Sequence, residues 1–175
     1  MNRTDKILLS ALLAGGCLAA QAQQLAFPDA QGWGRFATGA RQGGAVYHVT
    51  NLNDSGSGSL RDAISQPNRF IVFDVAGVIN IKDRLVFKNN LYIAGQTAPG
   101  EGITVYGNGV SFSGADNIIV RHMRFRMGHK GSSGKDAAGI ANGQNMIFDH
   151  CSFSWGLDET FSINPDNKGK HPDYI

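Results

Sequence analysis

Four acids in the last third of the chain have the chemistry of a cation site: Asp136, Asp149, Asp158 and Glu159. Carboxylate oxygens suit hard divalent cations such as calcium, but only where the fold brings several of them together. Asp136 and Asp158 stand 22 residues apart. That distance places them side by side only in a chain that returns to the same position at a regular period.

Such a period is present. Asn90-Leu91-Tyr92-Ile93, Asn117-Ile118-Ile119-Val120 and Asn145-Met146-Ile147-Phe148 share one pattern, an Asn followed by β-favouring apolar residues, at spacings of 27 and 28. Periods of 20–50 residues mark stacked-repeat architectures. Each copy reads as one strand of a parallel β-helix coil, with the Asn residues stacked at a corner as structural ladder groups. Successive coils lie roughly 4.8 Å apart, so Asp136 and Asp158, with Glu159 beside it, are expected to face a common cation. Abundant Gly and sparse helical periodicity agree with an all-β fold.

Residues 1–22 are set apart from the fold. Arg3 and Lys6 precede an apolar run from Ile7 to Ala20, and Ala20-Gln21-Ala22 fits the small-residue cleavage rule, so a secretory signal peptide cleaved after Ala22 is expected. The run falls short of the roughly 20 apolar residues that span a bilayer. Lipidation at Cys17 is the alternative, disfavoured by Ala14 three positions before it. The predicted product is a secreted or periplasmic monomer of 153 residues with no membrane attachment. Without Arg3, Lys6 and Asp5 it carries 14 basic and 13 acidic side chains, a balance that argues against nucleic-acid binding. Cys151 is its single cysteine, so no intrachain disulfide forms, and its place in an alternating strand marks it as a core residue.

Along the chain, Phe27 to Ala45 reads as a Gly-rich loop anchored by Trp33 and Phe36, and Val46 to Val49 as a first strand. Ser59 caps a short amphipathic helix with Leu60, Ala63 and Ile64 on one face, suited to covering the open end of the β-helix. Arg69 to Val75 and Val78 to Phe87 read as two strands separated at Gly77. Alternation from Asn117 to Arg126 puts Ile119, Arg121, Met123 and Phe125 on one face. Met127 to Lys135 is a basic, Gly/Ser-rich loop. Asp149 and His150 are expected to make structural hydrogen bonds between coils, while Trp155 suits either stacking on a ligand or packing under a turn. Nothing after Ile163 reads as a cap, so the domain is expected to be the N-terminal part of a longer one.

GWGRFATGARQG, VYHVTNLNDSGSGSLRDAI, IVFDVAGVI, IAGQTAPGEGI and NMIFDHCSFSWGLDET together resemble the pectate lyases of polysaccharide lyase family 1, from Phe27 to Ile163. The resemblance implies a right-handed parallel β-helix, secretion, and calcium-dependent β-elimination in de-esterified pectin. Asn145, Phe148, Asp149 and His150 match the family's strand motif. Asp136 and Asp158 fall at its calcium-binding positions, with Glu159 a neighbour able to substitute, while Ser162 replaces a third acid. The family's catalytic arginine comes from a later coil and has no match here. An acidic polysaccharide substrate makes Arg121, Arg124, Arg126, Lys130 and Lys135 candidate groove residues, the guanidinium fork being suited to carboxylates. The competing expectation is a non-catalytic β-helix that binds acidic glycans.

Overall fold

Short apolar runs interrupted by residues that tolerate a left-handed backbone cannot form long elements, and the chain forms many short strands instead. The computed structural model describes residues 23–175, so the expected leader and Cys17 lie outside it. Strand β1 (Ala45–Val49) and helix α1 (Leu60–Ile64) come first. Four coils of three strands follow: β2 (Arg69–Phe73), β3 (Gly77–Asn80) and β4 (Leu85–Val86); β5 (Leu91–Ala94), β6 (Ile103–Tyr106) and β7 (Val110–Ser111); β8 (Ala115–Arg121), β9 (Met123–Arg126) and β10 (Ala138–Ile140); β11 (Gly143–Asp149), β12 (Ser152–Ser154) and β13 (Phe161–Ile163). The short strand β14 (Pro172–Asp173) pairs with the start of β11.

Corresponding strands stack into three parallel sheets, β1-β2-β5-β8-β11-β14, β3-β6-β9-β12 and β4-β7-β10-β13. The molecule is a parallel β-helix. Its interior is a column of Ile71, Ile93, Ile118, Val120, Met123, Phe125 and Ile140, all under 2 % exposed. Phenylalanines stack along the column, Phe87 on Phe112 at 4.3 Å and Phe125 on Phe153 at 5.1 Å. Each pair adds about 1 kcal/mol beyond area burial.

Asn68, Asn90, Asn117 and Asn145 occupy equivalent register positions at one corner of the first sheet, directly before β2 and β5 and third in β8 and β11, all with φ between 55° and 58°. Asparagine tolerates this left-handed conformation better than most residues, which explains why the repeat begins with it. The Asn90 amide donates to Asn68 Oδ1 at 2.9 Å, as a corner ladder requires.

Ser59 caps α1 by accepting from the Asp62 N–H at 3.2 Å, and Leu60, Ala63 and Ile64 are buried against the first coil. Arg61 fastens the helix to the turn between β3 and β4 through the Asp83 carbonyl at 2.7 Å, and to the loop before the helix through Asp54 Oδ1 at 2.6 Å. The helix therefore closes the β1 end of the column.

Three local readings are corrected. Val78 to Phe87 is two strands on two sheets, because the chain turns between Ile81 and Arg84 while Ile81 still points inward and prolongs the apolar pattern. The alternation from Asn117 to Arg126 breaks at His122, whose φ of 55° re-phases the chain so that Ile118, Val120, Met123 and Phe125 all enter the core. Trp33 does not anchor the N-terminal segment, being 72 % exposed. Instead Ala26, Ala30, Ala37 and Ala40 pack against Tyr92, Ile119 and Ile147 on the outside of the first sheet. Gly34 lies so close to that sheet that a Cβ would fall 1.8 Å from the Met146 carbonyl oxygen. Among the described residues no helix is long and apolar enough to cross a membrane.

Candidate metal-binding site

Asp136 ends the loop between β9 and β10, and Asp158 and Glu159 lie in the loop between β12 and β13, one coil later. Main-chain bonds lock these loops together: Leu157 N–H donates to the Lys135 carbonyl, Ala137 N–H to Glu159 and Ala138 N–H to Thr160, each at 3.1 Å. Gly156 permits the fit, since a Cβ there would stand 2.2 Å from the Glu159 carbonyl oxygen. Sequence neighbours alone would leave the acids on separate loops. Stacking brings carboxylate oxygens of all three within 4.8 Å of one another.

Asp136 is half-buried, whereas Asp158 and Glu159 are exposed. A hydrogen bond that the protonated Glu159 carboxyl donates to Asp136 raises Glu159 above the ordinary Glu range, and the charges of Asp158 and Asp136 push the same way. Like charges crowded in this manner favour a proton or a cation. An all-oxygen donor set at a solvent-facing corner fits a hard ion such as calcium.

Beside the acids runs the outward face of the third sheet. Register aligns Val86, Ser111, Gly139 and Ser162 across β4, β7, β10 and β13, a floor of mostly small residues. Arg84 lies across it, donating to the Val110 carbonyl at 3.4 Å. A Cβ on Gly139 would meet Arg84 Nη2 at 3.3 Å and Asp136 Oδ2 at 3.7 Å, so cation and acid flank the same open position. Sequence reasoning missed Arg84, which precedes Asp136 by 52 residues. The signal was its place just before β4, level with Ala137 before β10 and so one residue from the level of Asp136.

The predicted groove cations separate. Arg124 is tied to Thr104 Oγ1 at 3.0 Å and to the Glu101 carbonyl. Arg126 donates to the Ser152 carbonyl at 3.1 Å and lies 5.9 Å from the Trp155 ring. Lys130 stands over Tyr106 at 5.4 Å, and Lys135 is exposed beside Asp136 in sequence. Trp155 is 62 % exposed, which decides against packing under a turn. With Tyr106, Gly128, His129, Gly156 and Leu157 it lines a cleft of about 270 Å³.

Arg121 belongs to a different corner. It donates to Asp149 Oδ2 at 2.7 Å and stacks on Phe27 at 4.0 Å. Burial raises the Asp149 carboxyl, but hydrogen bonds from Arg121 and His150 outweigh it and hold Asp149 below the ordinary Asp range. Cys151 packs against the core with its thiol pushed up to about 11 by burial, a poor nucleophile.

Comparison with known proteins agrees with this architecture. The chain is 68% identical over 142 residues to the probable pectate lyase C of Aspergillus oryzae and 66% identical over 142 residues to that of Aspergillus fumigatus. It is 66% identical over 140 residues to that of Emericella nidulans. This chain is homologous to pectate lyases. The matches take in 80–81% of it but 33–34% of each relative, so it spans about a third of the length of the curated pectate lyases it matches. No protein-family model matches it. Among solved structures, Jun a 1, the major allergen from cedar pollen, superposes with a TM-score of 0.59 at 21% identity. That match covers 77% of this chain and 46% of the allergen, and it supports the fold.

Proposed function

We propose that the chain forms the metal-binding coils of an exported pectate lyase-like polysaccharide lyase, acting on de-esterified pectin by calcium-assisted β-elimination. The observation that carries this reading is the convergence of Asp136, Asp158 and Glu159 from consecutive coils. These three residues would hold the ion, which neutralises the uronate carboxylate and so stabilises charge developing at C5 when the proton leaves. Arg84 is positioned to pair with that carboxylate or its neighbour, and Arg126 and Lys130 supply further positive charge along the cleft. The exposed face of Trp155 offers a sugar ring an apolar platform. Proton abstraction is assigned to an arginine in the part of the relatives that this chain does not span.

Calcium calorimetry on the full chain, with and without polygalacturonate, tests the proposal. One saturable calcium event is expected, weakened at least tenfold by Asp136→Asn or Asp158→Asn, with polysaccharide binding that requires calcium. Calcium affinity unchanged in both variants would overturn it. Absorbance of unsaturated product separates binding from chemistry. A chain that binds both ligands and forms no product is what a base elsewhere predicts, whereas calcium-independent glycan binding marks a non-catalytic solenoid.

A further inference from the structure

A second group of ligand-type side chains lies at the corner between the first and second sheets, away from the acids. His122 follows β8 and His150 follows β11, equivalent positions one coil apart. Both have a left-handed backbone, with φ of 55° and 51°. Histidine adopts this conformation at a cost of order 1 kcal/mol, so the corner holds both residues against their preference. The conformation turns the two rings outward in parallel, stacked at 4.8 Å with 14° between their planes. Ligand atoms of His122, Asp149 and His150 all lie within 4.8 Å of one another.

We infer that His122, Asp149 and His150 form a second metal site, one for a borderline transition-metal ion such as Zn2+ and not for calcium. Two imidazoles and one carboxylate are the donors that such ions select, whereas calcium takes oxygens. Asp149 is already fixed for the role. Arg121 holds Oδ2 at 2.7 Å, and Oδ1 faces His150 Nδ1 at 2.8 Å. Bonds of about 2.1 Å in a tetrahedral site need ligand atoms roughly 3.4 Å apart. Exposed imidazoles reach that spacing by small rotations about their side-chain torsions. Gly95 braces the corner from the preceding coil, since a Cβ there would stand 2.5 Å from the Arg121 carbonyl and 2.6 Å from that of His122. The positive charge of Arg121 opposes a dication, so the site is a moderate binder that staples consecutive coils. Phe27 and the main chain around Gly95, which pack against this corner, carry no charge, and Tyr92 bonds Arg121.

Calorimetric titration of the full chain with Zn2+ alone tests the assignment. One zinc per chain is expected, with affinity at least tenfold lower in His122→Gln and in His150→Gln. Both are surface changes, and circular dichroism checks their folding. Zinc should also raise the thermal unfolding midpoint of the wild type but of neither variant. Excess Ca2+ and Asp136→Asn should leave zinc binding unchanged, which separates this site from the acidic corner. Equal zinc affinity in wild type and both His variants overturns the inference, as does displacement by calcium or the absence of saturable binding.

Discussion

Two corners of one solenoid use the same stacking and arrive at opposite electrostatics. At the corner of Asp149, both carboxylate oxygens find partners inside the chain: Arg121 on one, His150 on the other. At the corner of Asp136, the loops are longer and three acids meet with no ion pair among the described residues. The first corner has its carboxylate satisfied by its own neighbours, and the second is completed only from outside. Charge complementarity within the coil thus separates a carboxylate already held by Arg121 from one that meets only other acids, since Asp149 and Asp136 are both half-buried.

The largest effect should come from Gly156→Ala, which breaks the second corner alone. Its Cβ falls within contact distance of the Glu159 carbonyl oxygen, so the loop carrying Asp158 and Glu159 must shift away from Asp136. Calcium affinity measured by calorimetry should fall by a factor of at least about 100, nearly 3 kcal/mol. Retained affinity would mean that the acids do not act as a set. Next in size, Arg121→Ala strands a mostly buried carboxylate, with Asp149 only 19% exposed at its side chain. Urea unfolding should show a loss of about 2 kcal/mol, whereas Asp136→Asn without calcium should cost nothing.

A smaller effect sharpens the contrast through pH. Asp149 is held below its ordinary value, so its contribution to stability is present above the unfolded Asp range and is lost as pH falls through the folded value. Glu159 is raised, so without calcium its contribution is present below the unfolded Glu value and is lost as pH rises through the folded one. Urea midpoints recorded from pH 3 to 7 should therefore rise less steeply in Asp149→Asn, with Asp54 and Asp166 supplying what rise remains, and fall less in Glu159→Gln. Identical profiles in the two variants would erase the distinction between the corners.

The coil period was legible because one physical need recurs: a left-handed residue stands at the same corner beside β2, β5, β8 and β11, and Asn meets it. Asp136, Asp158 and Glu159 were legible for the same reason, since an offset near one period predicts adjacency. What escaped depends on position beyond the period. His122 looks like one more member of an alternating strand, and only its backbone reveals a corner. Ile81 prolongs an apolar run through a turn. Alanines, not the aromatic Trp33, fix the N-terminal segment, because its backbone lies too close to the sheet for large side chains. Arg84 reaches Gly139 by crossing the intervening strand β7, a relation that no spacing in one sequence declares.

The four corner asparagines are separated by 22, 27 and 28 residues, yet their strands stay in register. Each left-handed turn restarts the phase of its coil, so residues added between two asparagines are absorbed in the outer loops and never propagate down the stack. Loop length is thereby uncoupled from core packing. Such a chain can lengthen, shorten or re-charge the loops around its acids while every inward-facing side chain keeps its place, leaving ligand preference free to change without refolding the scaffold.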